Sequence, residues 1–258
     1  MRVFFLFFSI YGIAFSSIVG NPGLPTFLQK GLFYKENTRP AQLRFGYVAD
    51  YVYDTCFEDE FLTEESSDQN LRMSIYAPIF TVNLFQRVDL YTMIGGMQLE
   101  IKDTIFAPRR FVWVVGTKAT FYHGKRMSVG GDVKYLHSKQ KPSFFLIEGF
   151  PALLLTNFAL DYTEIQGAFA ATYQWKYFAP YIGITYLDAK VQPKPHLGIF
   201  EIQELELVQE FDASSIVNKK KWGFVFGLTL LSDETMSVNV ESRFFDQNAV
   251  NVTGELTF

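Results

Sequence analysis

An alternation of apolar and polar residues over residues 162–190 constrains the fold of this chain more than any other feature. One face of its first arm carries Ile165, Gly167, Phe169, Ala171, Tyr173 and Trp175. The opposite face carries Glu164, Gln166, Thr172, Gln174 and Lys176. A period of two predicts a β-strand with one apolar and one polar side. A short corner at residues 177–180 leads into a second arm of the same kind, so we predict a β-hairpin.

The same pattern recurs along most of the chain. Alternating arms occupy residues 41–54, 71–84, 88–101, 110–121, 126–137, 222–230, 236–245 and 249–258. A soluble sandwich would bury the apolar faces against a second sheet. The arms are instead long enough for a membrane, which a tilted strand of roughly 9 to 11 residues crosses. Aromatic residues near the arm ends, and very short connections alternating with very long ones, also favour a membrane barrel.

These arms predict an all-β fold, a transmembrane antiparallel up-and-down β-barrel of about ten strands, with twelve strands as the alternative. The alternative comes from residues 138–161, whose two apolar patches fit a loop folded into the barrel mouth, a short helix or an extra hairpin. We favour the loop because each patch is short. With the N-terminus inside the cell envelope, the short corners near residues 86, 124, 178 and 233 face the periplasm and the long loops face outward.

The N-terminus predicts export. One basic residue, Arg2, precedes a long apolar segment that ends in small residues around Ser16. This is the pattern of a secretory signal peptide, so we predict a signal peptide at residues 1–16, with a short anchor helix as the alternative. Residues 17–40 lack a sustained period and are predicted to form a periplasmic N-terminal segment, followed by the barrel at residues 41–258.

Composition limits the partners and cofactors. The formal net charge is −4 and no basic patch is present, so we predict no nucleic-acid partner. No phosphate-binding glycine loop or metal-spaced His/Cys cluster occurs, and we predict no cofactor and no metal. The single cysteine, Cys56, fits either an ordinary loop residue or an intermolecular disulfide, because an exported chain with one cysteine has no internal partner for it.

Four segments resemble the chlamydial major outer membrane protein (MOMP) porin family. They read IVGNPGLPTFLQKGLF, LRFGYVADYVYD, TVNLFQRVDLYTMIGG and APYIGITYL, at residues 18–33, 43–54, 81–96 and 179–187. The resemblance implies an outer-membrane porin that passes small hydrophilic solutes or ions and forms a homo-oligomer, a trimer in that family. The resemblance also implies two partners. One is outer-membrane lipid, and the other is the barrel-assembly machinery, which would recognise the C-terminal strand ending at Phe258.

The chain departs from that family in two ways. It is shorter than typical members, which implies a narrower barrel. Family members are rich in cysteine and are thought to crosslink the envelope, whereas this chain has Cys56 alone. We therefore do not expect a crosslinking role.

For a passive pore, the charged residues on the polar strand faces are the candidate pore-lining residues. They are Arg44, Asp50, Lys118, Asp132, Lys134, Glu164, Lys176, Glu241, Arg243 and Glu255. Rings of charge select ions and solutes by their local field. The alternative is that these groups pair across a filled lumen and conduct nothing. Barrels of about eight strands are filled by side chains, and those of about 16 to 18 strands hold channels, so ten lies near the closed limit.

Two other functions compete with the pore. A catalytic site needs a His beside a carboxylate or Ser, but His123, His137 and His196 are predicted at strand ends and loops, where a His is usually structural. We therefore predict no enzyme. A non-conducting structural or adhesive surface protein is the alternative function, in which the acidic loops at residues 55–70 and 191–219 contact a partner.

Overall fold

The computed structural model describes residues 20–22, 41–59, 69–85, 87–101, 105–142, 144–147, 150–154, 158–175, 177–195, 197–202, 207–212, 214–232 and 236–258. The predicted signal peptide lies outside the described residues. Within the described ranges, no helix is long and apolar enough to cross a membrane.

The described residues form fifteen strands in one sheet. In chain order they are β1 (Ala41–Asp59), β2 (Gln69–Leu84), β3 (Val88–Ile101), β4 (Ile105–His123), β5 (Met127–Gln140), β6 (Phe144–Ile147), β7 (Phe150–Leu154), β8 (Ala159–Tyr173), β9 (Phe178–Lys194), β10 (Leu197–Ile202), β11 (Leu207–Asp212), β12 (Ile216–Asn218), β13 (Trp222–Ser232), β14 (Met236–Phe244) and β15 (Asn248–Thr257).

Ten of these strands close into a barrel. Each of β1, β2, β3, β4, β5, β8, β9, β13, β14 and β15 pairs antiparallel with the next. The last strand returns to the first, with Phe45 opposite Leu256 and Asp50 opposite Asn251. Closure leaves no free edge in the wall, as a membrane-spanning sheet requires. The prediction of an antiparallel barrel with ten strands is confirmed.

Four short strands extend the sheet beyond the wall. Strand β5 pairs with β4 only as far as Ser138 opposite Val112, and the next residues of β5 stay with β8 alone. The freed end of β4 pairs with β6, which continues through β7 and β10 to β11. Residues 138–161 therefore contain a hairpin, and the preferred loop interpretation is wrong. The twelve-strand alternative is also wrong, because this hairpin adds no strand to the closed wall.

Strand β12 forms a strap across the outer ends of two short wall strands, β14 and β15, and leads directly into β13. It pairs with β1 on one side, where Phe57 lies opposite Asn218, and with β9 on the other. The strap continues past β12: Lys219 N donates to Cys56 O at 2.9 Å, and Leu187 N donates to Lys221 O at 2.8 Å. The outer ends of β14 and β15 lie beneath it.

Short and long connections lie mostly at opposite ends of the barrel, which are called the periplasmic end and the outer end after the predicted orientation. The corners at residues 85–87, 124–126 and 174–177 are short and lie at the end of the barrel where β1 begins and β15 ends. The long connections lie at the other end. The β14–β15 turn is short there too, and so is the β3–β4 connection at residues 102–104, because β4 begins at Ile105, earlier than the sequence predicts.

The outer surface of the barrel is apolar, as the alternation predicts. Phe169 and Trp175 are 49% and 47% exposed, and Phe224 and Phe226 are exposed in the same way. Aromatic rings cluster near the two ends of the wall: Trp175 stacks edge-on against Phe178 at 4.8 Å, and Tyr186 against Trp222 at 5.1 Å. Exposed aliphatic residues such as Ile182, Val240 and Val252 occupy the band between them. This surface fits the hydrocarbon core of a bilayer with aromatic girdles at its interfaces.

The interior is not polar throughout. Buried apolar side chains of β1 to β4 form one contiguous core, from the middle of the wall to its outer end: Val48, Val52, Leu71, Met73, Ile75, Ile79, Met93, Met97, Leu99, Val112 and Val114. Leu160 on β8 and Leu187 and Val191 on β9 join the same core. The expectation of polar inward faces is wrong for this sector, because its inward side chains pack against one another.

Candidate functional site: a polar column inside the barrel

The structure places nine of the ten predicted pore-lining residues inside the barrel. Arg44, Asp50, Lys118, Asp132, Lys134, Glu164, Glu241, Arg243 and Glu255 are between 0% and 6% exposed. The tenth, Lys176, lies outside the described residues. Together with neighbouring polar side chains, the nine form a polar column along β4, β5, β8, β14, β15 and β1, beside the apolar core.

A cation with two carboxylates stands near the periplasmic end of this column. The Arg44 guanidinium donates to Asp89 and, at 3.4 Å, to Glu255 Oε2. Neutral donors complete the cluster: Asn83 Nδ2 donates to Asp89 Oδ1 at 2.6 Å and Thr81 Oγ1 to Glu255 Oε1 at 3.0 Å. Strand register causes this meeting, since Arg44 lies opposite Thr81 and beside the end of β15. Pairing and hydrogen bonding together offset the cost of burying these charges.

Three inward tyrosines fill the barrel and each bonds a carboxylate. Tyr91 donates to Asp132 at 2.8 Å, Tyr162 to Glu164 at 2.7 Å, and Tyr181 to Glu241. Two of these rings need a glycine on the facing strand. A Cβ on Gly227 would lie 2.2 Å from Tyr181 Cζ, and one on Gly116 would lie 2.3 Å from Tyr91 Cζ. The glycines therefore give the rings room to lie flat on the wall.

Charges of both signs meet in the middle of the column, with acids in excess. Lys134 Nζ lies 3.1 Å from Glu164 Oε1, and Lys118 Nζ lies 5.5 Å from the centre of the Tyr91 ring. Among the buried residues that the structure describes, seven are acidic (Asp50, Asp89, Asp132, Glu164, Glu241, Asp246 and Glu255) and four are basic (Arg44, Lys118, Lys134 and Arg243). The column is therefore net negative.

Part of the predicted periplasmic segment lies inside the barrel near its periplasmic end. Asn21 Oδ1 accepts a hydrogen bond from Thr172 Oγ1 at 2.7 Å. The Pro22 carbonyl rests on Gly130, where a Cβ would lie 2.0 Å from its oxygen. Gly20 has φ = 73°, in the left-handed region that glycine adopts readily, and a Cβ there would lie 3.2 Å from Lys118 Nζ. The rest of residues 17–40 lies outside the described part of the chain.

At its outer end the column reaches the turn between β14 and β15. Thr185 Oγ1 donates to Asp246 Oδ2 at 2.6 Å, and Gln247 N donates to Asp246 Oδ1 at 2.8 Å. With its amide oxygen turned toward Arg243, Gln247 accepts from that guanidinium at 3.1 and 3.2 Å and from Gln166 Nε2 at 3.2 Å. Burial raises the pKa of Asp246, whereas the charge of Arg243 and the hydrogen bonds from Thr185 and from the Gln247 backbone act to lower it.

A cavity of about 240 Å³ adjoins this turn. It is lined by Asp54, Cys56, Lys220, Phe244, Phe245, Asp246, Gln247 and Asn248. A bulge in β1 after Val52 shifts the register against both neighbouring strands just before Asp54 and Cys56. Such bulges commonly re-aim side chains near functional sites.

Two interior carboxylates were missed by the sequence analysis. Asp89 lies on β3, where Gly95-Gly96 obscured the alternation, although the run Asp89-Leu90-Tyr91 carries the signal of a polar inward residue beside an outward Leu. Asp246 lies between the alternating segments 236–245 and 249–258, where the sequence predicts only a short connection. Its inward position depends on Gly223, where a Cβ would lie 2.2 Å from Asp246 Oδ1, and no local pattern reveals that contact.

The described histidines lie apart from this column. His123 ends β4 at a periplasmic corner, and His137 contacts Trp113 at 5.8 Å between ring centres. His196 lies outside the described residues. Over the described ranges, no group of three or more His, Cys, Asp or Glu is arranged to hold a metal ion.

A closed antiparallel barrel with a lipid-facing apolar surface and aromatic girdles defines a class, the integral β-barrel proteins of the bacterial outer membrane. The protein is located in that membrane and is surrounded by its lipid. No protein-family model matches the chain.

Curated relatives point to one family within this class. The chain is 23% identical over 209 residues to the major outer membrane porin of Chlamydia trachomatis serovar E, which covers 60% of this chain and 53% of that protein. The chain thus spans about half the length of that relative. The serovar F porin aligns over 371 residues at 19% identity, covering 93% of this chain and 94% of that protein. These similarities support a distant relationship to the chlamydial major outer membrane porins.

Solved barrels align less closely. The translocator domain of the autotransporter NalP from Neisseria meningitidis has a TM-score of 0.44 at 10% identity, covering 86% of this chain and 88% of that one. The outer membrane protease OmpT from Escherichia coli has a TM-score of 0.39 at 10% identity, covering 86% and 99%. Similarities this low carry no argument about activity, and the fold rests on the strand pairing itself.

Proposed function

We propose that the protein is a narrow outer-membrane porin that allows passive diffusion of ions and small hydrophilic solutes. The observation that carries this proposal is the polar column, which runs from Glu255 near the periplasmic end to Asp246 in the outer turn. Charged groups along a pore select solutes by their field. Because acids outnumber bases in the column, we expect cations to pass more readily than anions. The distant porin relatives support the same function.

Assembly partners follow from the same relationship. We propose a homo-oligomer, a trimer if this chain follows the resemblance to the MOMP family, and insertion by the barrel-assembly machinery through the strand that ends at Phe258. We propose no enzymatic role, since porin relatives suggest transport rather than catalysis.

A second candidate is a non-conducting structural or adhesive surface protein. The observation that favours it is the burial of the interior charges, between 0% and 6% exposed, beside an apolar core that fills much of the outer half. A conducting porin with this structure must therefore open from a closed conformation or pass ions one at a time between side chains.

Conductance in planar bilayers separates the two candidates. We expect purified, refolded protein to give small cation-selective currents, and Glu255→Gln to lower the cation-to-anion permeability ratio because it removes an interior charge. Glu100→Gln is the matched control: its side chain is 38% exposed and pairs with Arg72, so selectivity should not change. Folded protein that gives no current above the empty bilayer would discard the porin and leave the surface protein.

A further inference from the structure

A gap in the barrel wall lies between the strap and the β14–β15 turn. The strap above it is anchored through Asn218, whose Nδ2 donates to Leu187 O at 3.0 Å and whose Oδ1 accepts from Ala189 N at 2.8 Å. The turn below it is tight, with Phe245 at φ = 78°. The strap continues into β13, and only β14 and β15 end beneath it, at their turn. Along β1 the partner therefore changes from β15, at Asp54, to β12, at Phe57, and the gap lies between these two pairings.

The 240 Å³ cavity occupies this gap, and its lining includes both exposed and buried residues. Lys220 and Phe245 are exposed and form its rim. Asp246 and Gln247 are 1% and 3% exposed and form its floor. Because Gln247 bonds Arg243 and Gln166 inside the barrel, the floor is continuous with the polar column.

Among the residues that the structure describes, apolar side chains occupy the interior of the barrel at the same level. Phe57, Leu71, Leu99, Leu160, Leu187 and Ile216 belong to the buried apolar core near the outer end of the wall. An ion on the barrel axis would have to shed water against hydrocarbon there, which costs far more than passage between polar groups.

We propose that this side gap, lined by Asp54, Cys56, Lys220, Asp246 and Gln247, is the outer mouth of the ion path, and that small cations enter through it. The inference rests on the proposed porin function and assigns it an entrance. The lining contains two carboxylates, Asp54 and Asp246, and one lysine, Lys220, so its formal charge is negative. The column also has more acidic than basic residues. Asp246 on the floor leads to Arg243 and the interior carboxylates, whereas Lys220 on the rim sets a local barrier to cations.

The single cysteine of the chain supplies a direct test, because Cys56 lines the cavity and no other thiol competes. A charged, membrane-impermeant methanethiosulfonate carrying a trimethylammonium group is added to the outer side of a bilayer that holds the wild-type protein. The attached cation narrows the mouth and repels other cations, so we expect the cation current to fall by roughly twofold or more. The current through the Cys56→Ser variant should not change when the reagent is added.

A second cysteine position and a pair of lysines provide matched controls. In the Cys56→Ser background, Lys139→Cys places a thiol on an exposed position of β5, where labelling should leave the current unchanged. Lys220→Glu should raise the cation-to-anion permeability ratio by roughly two- to fivefold. Lys221→Glu should not, because Lys221 points to Asp188, at 2.8 Å, and does not line the cavity.

The outcomes separate the entrance from the function. Currents that are present but insensitive to complete labelling of Cys56, or equal selectivity in Lys220→Glu and Lys221→Glu, would overturn the side entrance and leave the porin intact. Failure of the reagent to reach Cys56 in the folded protein would overturn it as well. Absence of any current from the wild type would overturn the porin and the entrance together.

Discussion

At the scale of residues, burial decides how much each ion pair contributes to stability. Lys134 and Glu164 lie 3.1 Å apart with side chains 5% and 1% exposed. Lys221 and Asp188 are closer, at 2.8 Å, but are about half exposed. Water screens the second pair, whereas removing one partner of the first leaves a charge in the interior. The Lys134–Glu164 pair should therefore contribute more to stability, although its contact is the longer one.

Substitution of the two lysines tests this difference. Lys134→Met keeps most of the side-chain volume but removes the cation beside Glu164, so we expect a loss of about 3 to 5 kcal/mol in the free energy of unfolding. Lys221→Met should cost less than about 1 kcal/mol. Urea unfolding in detergent micelles measures both. Equal losses from the two variants would contradict the role given to burial.

Glycines that face tyrosines should tolerate no side chain. Gly227→Ala would force the Tyr181 ring off the wall and disturb its hydrogen bond to Glu241, because the new Cβ would lie 2.2 Å from the ring. Overpacking of this kind costs about 1 to 3 kcal/mol. Gly254→Ala is the matched control, since nothing lies within 4 Å of its added Cβ. The same unfolding assay should show a loss for the first variant and little change for the second; a loss shared by both would point to strand geometry instead of the ring.

At the scale of elements, the sequence predicted the positions of the strands well and the packing of side chains inside the barrel poorly. Alternation located all ten wall strands, because a wall with lipid outside must repeat apolar residues at every second position. It could not predict the apolar core, since inward residues such as Met73 and Leu99 look the same in sequence as outward ones. Nor could it place Asn21 inside the barrel, a contact made across 151 residues with Thr172.

The residues around Asn21 form an element that can be tested on its own. Asn21→Ala removes the acceptor for Thr172 without altering the wall. The loss of one hydrogen bond costs about 1 kcal/mol, which should shift the equilibrium between bound and released residues 20–22 roughly fivefold toward release. In a Cys56→Ser background, Ser128→Cys reports this release, because Ser128 is buried and lies opposite Thr172. We expect a small thiol reagent to label it roughly fivefold faster in the Asn21→Ala variant.

A second thiol on the same strand is the control for this measurement. Ser138 is also buried on β5 but lies near its outer end, where Ser138 Oγ donates to Phe111 O at 2.7 Å. The labelling rate of Ser138→Cys should not respond to Asn21→Ala. If Ser128→Cys and Ser138→Cys accelerate together, the variant loosens the whole barrel; if neither changes, residues 20–22 do not cover Ser128.

At the scale of the whole molecule, one join completes the barrel. Strand β15 closes on β1, and Phe258 N donates to Leu43 O at 3.0 Å as the last bond of that join. The Phe258 ring itself is 72% exposed and packs little against the wall. The ring therefore contributes little to the stability of the finished barrel, but it is available to the machinery that we propose recognises the last strand.

Phe258→Ser separates assembly from stability. We expect less folded barrel in the outer membrane of an expressing bacterium, measured as the fraction that migrates as a compact band on unheated gels. The same variant refolded into detergent should match the wild type in urea, because no core contact is lost. Phe245→Ser, which removes a ring that is 65% exposed at the opposite end, should leave the folded fraction in cells unchanged. A lower yield from both variants would mean that exposed aromatic rings assist insertion wherever they lie, and that the last strand carries no special signal.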